Sequence, residues 1–585
     1  MHGYLTQGLR RAAQTNRSGI ATIFGERQRT WSEVLARVAR FAGALRALGL
    51  EPGDRVAILA LNSDDYLELH YSVPWAGGAL VPINTRLAPA EVRYILEDSA
   101  PTIIVCDDAC LSLLTPEAVE PRAKIYLSAG PPPSGWLAYE RLIAEGRPVE
   151  DAQRRDNDLA GIFYTGGSTG KAKGVMLSHD NLISNALNAI PLVGYDRTSR
   201  YLHAAPMFHL ADGMATFAIT MVGGTHVMIA KFDAHACLDA LARHRVTNVT
   251  LVPAMIAMML DHPDVRSFDL SALRQIQFGA APMPEATLRR ALELWPDLLW
   301  LHGWGMTEIS PIGSALPHDL RRPAVAGARM RSCGNAVLNC EIKIADAEGN
   351  EVPRGTVGEL LIRGPNVMLG YWNKPEETAA ALRDGWLHTG DAALMDEDGL
   401  ITIVDRLKDM IISGGENVYS TEVESAISLY PGVAQVAVIG VPHERWGETV
   451  HAVVVPSPGA NMDFLHPDAI GMHCRSLIAG YKVPRSIEIR VTPLPLSGSG
   501  KVLKPALREE YARGATGAPL DSTSAWKKVV QVVAVSSCPA CGNRGFDLQP
   551  GADIDDPHAM VKCGRCGYVS QSDKFMRPVK PANPV

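Results

Sequence analysis

The residues best suited to chemistry lie in a glycine-rich segment, residues 164–174, which reads Tyr-Thr-Gly-Gly-Ser-Thr-Gly-Lys-Ala-Lys-Gly. Apolar runs precede and follow it, and the preceding run predicts a strand that enters a loop. Such a loop presents backbone N–H groups, hydroxyls and ammonium groups together, and polyphosphate is the ligand that best matches these donors. The segment contains no Walker A sequence, and a glycine-rich loop by itself is more often a flexible turn.

Further motifs with charged side chains follow along the chain, at residues 303–308 (Gly-Trp-Gly-Met-Thr-Glu), 358–365, 386–391 (Trp-Leu-His-Thr-Gly-Asp), 405–409 (Asp-Arg-Leu-Lys-Asp) and 498–501 (Gly-Ser-Gly-Lys). Among the charged residues that end these motifs are Glu308, Asp391 and Lys501. Each residue also has a plain structural interpretation. Glu308 and Lys501 would then be solvated surface charges, and Asp391 would be a helix N-cap.

In this order the motifs closely resemble those of the adenylate-forming enzymes, the superfamily of acyl-CoA synthetases, luciferases and nonribosomal adenylation domains. The resemblance runs from about Thr30 to about Leu507. It implies a carboxylate–CoA ligase that uses ATP, Mg²⁺ and coenzyme A, and that forms an acyl-adenylate before the thioester. Cations and oriented donors around the phosphates are the main requirement of that chemistry.

The resemblance also implies which residues contact ATP. It places Thr165, Gly166, Gly167, Ser168, Thr169, Gly170 and Lys173 at the phosphates, Gly279, Ala280 and Ala281 at the adenine, and Gly303, Trp304, Gly305, Met306 and Thr307 in the motif beside the α-phosphate. It places Asp391 and Arg406 at the ribose, and it makes Glu308 the Mg²⁺ ligand.

For the two chemical steps the resemblance implies that Lys501 bridges the substrate carboxylate and the α-phosphate. His209 would be a gate at the mouth of the acyl pocket, although a histidine among apolar residues is more often a satisfied core residue. The rest of that pocket would be lined by Asp212, Gly213, Met214, His302 and Gly303.

The thioester step is implied to follow a swing of the small domain about a hinge at Lys408. The swing would bring Gly414 and Gly415 to the site, where they let pantetheine pass close to the backbone. The chain departs from the commonest family pattern at Gly167, Ala172 and Trp304, where serine, proline and tyrosine are frequent.

The organisation of the chain predicts several domains, because 585 residues exceed what one hydrophobic core usually serves. Strands alternate with helices in the first part, which predicts an α/β fold with largely parallel sheets. We expect a large, multi-lobed N-terminal AMP-binding domain over 1–407 and a small, mobile α+β domain over 408–513. A linker over 514–535 and a zinc-ribbon-like segment with a tail over 536–585 would follow.

The last segment carries four of the ten cysteines, in two Cys-x-x-Cys pairs: Cys538 and Cys541, then Cys563 and Cys566. Two such pairs supply the tetrahedral sulfur ligands of a structural Zn²⁺. A redox dithiol is the alternative. The segment would dock a carrier protein or another protein, mediate an oligomer contact, or serve only for packing.

The bulk composition indicates an ordinary globular protein, with 46% hydrophobic and 20% charged residues. A net charge of −7 argues against a nucleic-acid binder. We see no secretory signal and no apolar run long enough to span a membrane, and we expect a cytoplasmic protein.

The sequence therefore predicts an AMP-forming acid–thiol ligase, with a medium- or long-chain fatty acid as the first substrate hypothesis and an aryl acid as the second. An acyl-AMP ligase that loads a separate carrier protein is the nearest alternative. From another class, the chain would be an inactive scaffold that binds partners through its cysteine-containing end.

Overall fold

A computed structural model describes residues 3–115, 120–165, 172–281, 283, 285–316, 332–457, 459–462, 465–496, 502–515, 546–548, 560–563 and 569–571. The chain forms two compact units, residues 1–508 and 509–585. The expected boundaries at residues 407, 513 and 535 stay predictions.

The helices are distributed along the whole first unit. They are α1 Leu5–Thr15, α2 Trp31–Ala47, α3 Asp64–Ala76, α4 Pro89–Ser99, α5 Tyr139–Glu145, α6 His179–Val193, α7 Leu210–Val222, α8 Ala234–Arg243, α9 Pro253–Leu260, α10 Glu285–Leu294, α11 Pro375–Ala381, α12 Ser420–Ser428, α13 Pro467–Leu477 and α14 Lys504–Ala515. In the part of the chain that the structure describes, none of them has the length and apolar character needed to cross a membrane.

Strands alternate with these helices up to about residue 316 and then follow one another closely. They are β1 Ile20–Phe24, β2 Arg27–Thr30, β3 Arg55–Leu59, β4 Ala79–Pro82, β5 Ile103–Cys106, β6 Ala123–Tyr126, β7 Leu137–Ala138, β8 Leu159–Thr165, β9 Lys173–Ser178, β10 Arg200–His203, β11 Thr225–Met228, β12 Asn248–Leu251, β13 Gln275–Gly279, β14 Leu299–Gly305, β15 Ile312–Leu316, β16 Asn335–Ala336, β17 Glu341–Ala345, β18 Gly358–Arg363, β19 Gly370–Tyr371, β20 Leu382–Arg383, β21 Trp386–Met395, β22 Ile401–Arg406, β23 Ile411–Ser413, β24 Glu416–Val418, β25 Val433–His443, β26 Gly447–Pro456, β27 Ser486–Ile489, β28 Phe546–Leu548, β29 Met560–Cys563 and β30 Val569–Gln571.

Two large sheets dominate the first unit. One has the order β19-β9-β8-β4-β3-β5-β6-β7 and the other β16-β15-β14-β13-β12-β10-β11-β1-β2. Their inner strands run parallel, and antiparallel pairs occur towards the edges, as between β8 and β9 or β14 and β15. The predicted α/β fold with largely parallel sheets is therefore confirmed.

Local signals account for the first long helix. Thr30 and Glu33 form a capping box, in which the Glu33 amide donates to Thr30 Oγ1 at 3.3 Å and the Thr30 amide donates to Glu33 Oε2 at 2.7 Å. The helix then buries Val34, Val38 and Phe41 on one face.

The region after residue 340 is antiparallel. β17 pairs with β18, and β18 pairs with β21, which in turn pairs with β22. β17 and β18 thus form a hairpin around residues 348–350. Asp396 to Gly399 forms a turn, in which the Gly399 amide donates to the Asp396 carbonyl at 3.0 Å.

A smaller α+β region follows within the first unit. Its sheet has the order β24-β23-β26-β25, with β27 parallel to β26. α12 and α13 cover one face, where Val423, Ile427 and Ile470 are buried. The second unit contains β28, β29 and β30, which form an antiparallel sheet.

Candidate active site

The glycine-rich segment sits on a hairpin of the eight-stranded sheet. β8 ends at Thr165, which pairs with Lys173 at the start of β9. The predicted strand before the loop is therefore confirmed, and the apolar run after the loop forms a second strand, β9. Residues 166–171, which carry the predicted phosphate donors Gly166, Gly167, Ser168, Thr169 and Gly170, lie outside the described residues.

Two of the segments assigned to the nucleotide lie side by side in the nine-stranded sheet. Gly279 at the end of β13 is in parallel register with Gly303 in β14. A Cβ atom on Gly279 would lie 2.4 Å from the Gly303 carbonyl oxygen, so this approach requires glycine. The next residue, Ala280, has a positive φ of 64°. The backbone at the carboxyl end of β13 therefore carries only small side chains, which would allow a flat base to contact the main chain closely.

Asp391 is held by two long-range partners. It lies opposite Arg406 in the antiparallel pair of β21 and β22, and the two side chains form an ion pair with a distance of 2.6 Å between Arg406 Nε and Asp391 Oδ1. The Trp304 indole Nε1 donates to Asp391 Oδ2 at 2.8 Å. The alternative of a helix N-cap is wrong, because Asp391 lies inside a strand.

Glu308 is also oriented by a distant residue. It lies in a short 3₁₀ helix, Thr307–Ile309, and is only 8% exposed. The Tyr371 hydroxyl donates to Glu308 Oε1 at 3.0 Å, and Lys173 Nζ lies 4.9 Å from the centre of the Tyr371 ring. The idea of a solvated surface charge does not fit this carboxylate.

Tyr371 is the hydrogen-bond partner of Glu308. Burial and the neighbouring Glu308 raise the pKa of the Tyr371 hydroxyl, while the charge of Arg406 acts in the opposite direction. Sequence reasoning missed Tyr371, because no local signal shows that β19 pairs with β9.

His209 begins α7 as its N-cap residue. The Ala211 amide donates to His209 Nδ1 at 3.1 Å, so the neutral ring carries its proton on Nε2. The ring is half-buried, and its backbone amide donates to the Pro206 carbonyl. In the structure, His209 thus caps the amino end of α7.

Asp212 does not line an open pocket as expected. Its side chain is fully buried and forms a hydrogen bond at 2.5 Å with His203 Nδ1 and another at 3.1 Å with the Tyr201 hydroxyl. His203 continues to His226 at 2.9 Å. This buried chain of polar groups ties the first turn of α7 to the nine-stranded sheet, so the prediction for Asp212 is wrong.

The predicted hinge follows β22 directly. The Leu407 amide donates to the Gly390 carbonyl at 2.9 Å, and burial lowers the pKa of Lys408. Asp405, just before the hinge, accepts a hydrogen bond of 2.7 Å from the Ser420 hydroxyl at the start of α12. This contact crosses the hinge position and joins the segments on its two sides.

Gly414 and Gly415 form the turn between β23 and β24 and both have positive φ, 63° and 87°. A Cβ on Gly414 would lie 2.7 Å from the Trp446 ring. Glycine is therefore required at Gly414 by the fold as well as by the expected passage of pantetheine.

Other predicted site residues are not placed. Lys501, Cys538, Cys541 and Cys566 lie outside the described residues, as do the side-chain surroundings of Cys563. Among the residues that are described, no group of three or more His, Cys, Asp or Glu side chains is arranged to hold a metal ion.

Comparison with protein-family models gives two matches. The model described as "AMP-binding enzyme" matches residues 9–372, and the model described as "AMP-binding enzyme C-terminal domain" matches residues 422–501. The larger match covers more than half of the chain. It includes β14 and β19, the strands that carry the hydrogen-bond donors Trp304 and Tyr371.

Individual relatives are similar over nearly their full length. A feruloyl-CoA synthase from an Amycolatopsis species is 41% identical over 505 residues, which are 86% of this chain and 98% of that protein. The fatty acid–[acyl-carrier-protein] ligase ScoC from Streptomyces coeruleorubidus is 35% identical and covers 84% of this chain and 93% of that protein. The crystal structure of ATP-bound MatB from Rhodopseudomonas palustris is 32% identical, with a TM-score of 0.76 over 86% of this chain and 99% of that one.

Proposed function

The chain belongs to the AMP-binding enzymes and is an AMP-forming acid–thiol ligase, and we propose that its substrate is an aromatic carboxylic acid. The reaction joins the acid to CoA through an acyl-adenylate. The observation that carries the site assignment is the pair of oriented carboxylates, Asp391 and Glu308, beside the close approach of Gly279 to Gly303.

The residues present fit a nucleotide with its metal ion. Asp391 is fixed by Trp304 and Arg406, and its carboxylate oxygens are acceptors of the kind that two ribose hydroxyls require. Glu308 is a hard oxygen ligand of the kind that Mg²⁺ prefers. When bound there, Mg²⁺ would neutralise charge on the phosphates. Lys173, at the base of the hairpin, would add an ammonium charge on the same side.

The chemical roles follow from the charges involved. Adenylation brings an anionic carboxylate to an anionic phosphate, so a cation at the reacting atoms is needed. We assign that role to Lys501, with Thr165 and Ser168 donating to the departing pyrophosphate. His209 would stand next to the acid, and Lys408 would be the pivot before CoA enters past Gly414 and Gly415.

Two observations support an aromatic acid ahead of the fatty acid that the sequence favoured. The relative named feruloyl-CoA synthase is more similar to this chain than the fatty-acid ligase is. In addition, Phe278 and His302 stack with their ring centres 4.9 Å apart and their planes inclined by 7°. With His302 in the acyl pocket, this pair provides a flat and rigid wall that suits an aryl ring.

The test is pyrophosphate release with ATP and Mg²⁺ from a panel of acids, with and without CoA. Ferulate, benzoate, octanoate and palmitate separate the substrate classes. We expect CoA-dependent turnover on the aromatic acids. Preferred turnover of octanoate or palmitate would contradict the substrate proposal, and no acid-dependent release at all would favour the inactive scaffold.

A carrier protein is the second candidate acceptor, and the similarity to ScoC is the observation in its favour. The same assay distinguishes it from CoA. Adenylate that forms with ferulate or a fatty acid but is not discharged by CoA would point to a carrier-protein thiol.

We also propose that Cys538, Cys541, Cys563 and Cys566 bind one structural Zn²⁺. The support is the spacing of the two pairs, together with the antiparallel strands β28, β29 and β30 that lie after the first pair and around the second. Metal analysis of the full chain should find about one zinc per chain. Cys538→Ser/Cys541→Ser should lose it and Cys340→Ser should not, whereas a zinc-free wild-type protein would favour the redox dithiol.

A further inference from the structure

A polar pocket lies at the end of the nine-stranded sheet opposite to the candidate nucleotide site. Its volume is about 580 Å³. Arg200 is the first residue of β10, and Thr247 and Arg274 directly precede β12 and β13, so the pocket lies at the amino ends of these strands. Gly279 lies at the opposite, carboxyl end of β13. A five-residue strand spans about 16 Å, so this pocket is separate from the nucleotide site.

Four arginines contribute to the walls of this arginine pocket: Arg200, Arg243, Arg245 and Arg274. Arg243 pairs with Glu26 at 2.8 Å. Within the described part of the chain, the other three have no carboxylate within ion-pair distance. Arg200 donates to the His244 carbonyl at 2.7 Å, and Arg274 reaches the Thr198 hydroxyl at 3.4 Å.

Two carboxylates near the pocket form hydrogen bonds with groups other than its arginines. Asp196 accepts hydrogen bonds of 2.7 Å from the Thr198 amide and hydroxyl, and Asp269 accepts one of 3.0 Å from the Ser271 amide. These hydrogen bonds lower the pKa of both carboxyl groups, and the charges of Arg274 and Arg245 lower the pKa of Asp196 and of Asp269 in addition.

The pKa of the neighbouring His244 is lowered by burial and then by Arg243 and Arg200, against Asp239 and Glu26. The pocket thus gathers four guanidinium groups, of which Arg243 alone forms an ion pair within the residues that the structure describes.

Arg245 occupies a backbone position that favours glycine. It follows the C-cap of α8 with a φ of 47°, and the Val246 amide closes the helix end on the Leu241 carbonyl at 3.0 Å. Glycine would avoid the strain of this left-handed conformation. An arginine is present instead, and its side chain joins the pocket wall.

Backbone hydrogen bonds fix the three strand ends relative to one another. The Arg200 amide donates to Thr247 Oγ1 at 2.9 Å, and the Arg274 amide donates to the Thr247 carbonyl at 2.8 Å. The arginines therefore start from rigid positions in the sheet, which reduces the cost of ordering them around a ligand.

We propose that the arginine pocket binds the phosphoryl group of a ligand other than the ATP that is consumed in the reaction. A guanidinium presents two parallel N–H donors that match phosphate oxygens, and several of them converge here. The pocket volume is in the range of small-molecule sites. The phosphoryl group belongs either to a soluble molecule or to a lipid headgroup, and the two sources share this chemistry.

The test uses inorganic tripolyphosphate as the soluble probe and phosphatidylcholine vesicles with phosphatidic acid as the lipid probe. Calorimetric titration of the full-length protein without Mg²⁺ should show a binding event that Arg200→Gln/Arg274→Gln weakens roughly tenfold or more. Binding at the glycine-rich loop is common to both proteins and cancels in the comparison. Arg245→Gln/Arg274→Gln changes only exposed side chains and guards against a folding defect from the half-buried Arg200.

Arg141→Gln/Arg290→Gln is the charge-matched control, because both arginines lie in exposed ion pairs elsewhere. It should bind both probes as the wild-type protein does. If the pocket variants lose tripolyphosphate binding but keep vesicle binding, the ligand is a soluble molecule. If they lose vesicle binding but keep tripolyphosphate binding, the ligand is a lipid headgroup. Equal binding of both probes by the wild-type protein and both pocket variants would overturn the proposal.

Discussion

At the scale of single residues, the site depends on how its carboxylates are held. Asp391 and Glu308 are each oriented by an aromatic donor, the Trp304 indole and the Tyr371 hydroxyl. Trp304 lies on β14 and Asp391 on β21, whereas Tyr371 lies on β19 and Glu308 in a short 3₁₀ helix, so each donor comes from a different element than its carboxylate. The frequent tyrosine of the family is a tryptophan at residue 304, and its N–H supplies a hydrogen bond to Asp391.

Tyr371→Phe should raise the Mg²⁺ concentration needed for half-maximal activity. The change removes the hydroxyl that orients Glu308 but keeps the ring beside Lys173. A hydrogen bond to a charged group contributes about 1.5 kcal/mol, which corresponds to roughly a tenfold shift. The measurement is adenylation rate against Mg²⁺ concentration.

Tyr126→Phe is the matched control for this experiment, because Tyr126 donates in the same way to Asp108, at 3.0 Å. Its Mg²⁺ dependence should equal that of the wild-type protein. An unchanged Mg²⁺ dependence in Tyr371→Phe would remove Glu308 as the metal ligand or Tyr371 as its partner.

Lys501→Ala should nearly abolish formation of the acyl-adenylate and spare thioester formation from a preformed adenylate. The lysine charge is needed only while negative charge builds between carboxylate and α-phosphate. Acid-dependent exchange of pyrophosphate into ATP measures the first step, and CoA-dependent discharge of synthetic adenylate measures the second. Normal exchange would refute the assignment.

At the scale of elements, two side-chain contacts hold the segments on either side of the predicted hinge. β22 ends at Arg406, whose side chain holds Asp391, and Asp405 binds Ser420 at the start of α12. A rotation at Lys408 would move Ser420 relative to Asp405. The domain swing implied by the family resemblance would therefore exchange this contact for others.

Lys408→Pro should reduce thioester formation more than adenylation, because proline fixes φ at the position where the backbone must rotate. Lys408→Ala removes the same side chain without restricting the backbone and should affect both steps similarly. Single-turnover rates of the two steps provide the comparison. An equal loss of both steps in Lys408→Pro would argue against a hinge at this residue.

At the scale of the whole molecule, several histidines are buried without charge. His70, His179 and His451 each have a pKa lowered by burial to about 4. An unfolded histidine has a pKa near 6.5. Between these values the unfolded chain binds protons that the folded chain does not, so stability falls as pH decreases from about 6.5 to about 4.

His70→Gln should therefore flatten the dependence of unfolding free energy on pH. His70 is fully buried, and its removal should take away about 1.4 kcal/mol per pH unit of slope between roughly pH 6 and 4.5. Denaturant titrations over this range measure the slope. His235→Gln, at an exposed histidine, should leave it unchanged, and an unchanged slope in His70→Gln would contradict the buried neutral state.

The sequence alone determined the fold class, the family and the strand that enters the glycine-rich loop. These depend on local periodicity and on motifs in a fixed order, which are visible along the chain. The roles of residues 166–170 and Lys501 stay predictions from the same motifs.

Only the tertiary structure decided which groups meet. Tyr371 reaches Glu308 because β19 pairs with β9, and Asp212 turns into the core because His203 lies behind it on β10. The arginine pocket likewise gathers Arg200 and Arg274 from the amino ends of two strands and Arg245 from the end of α8. Such contacts join residues far apart in sequence, and strand order and register, which no local pattern encodes, place them together.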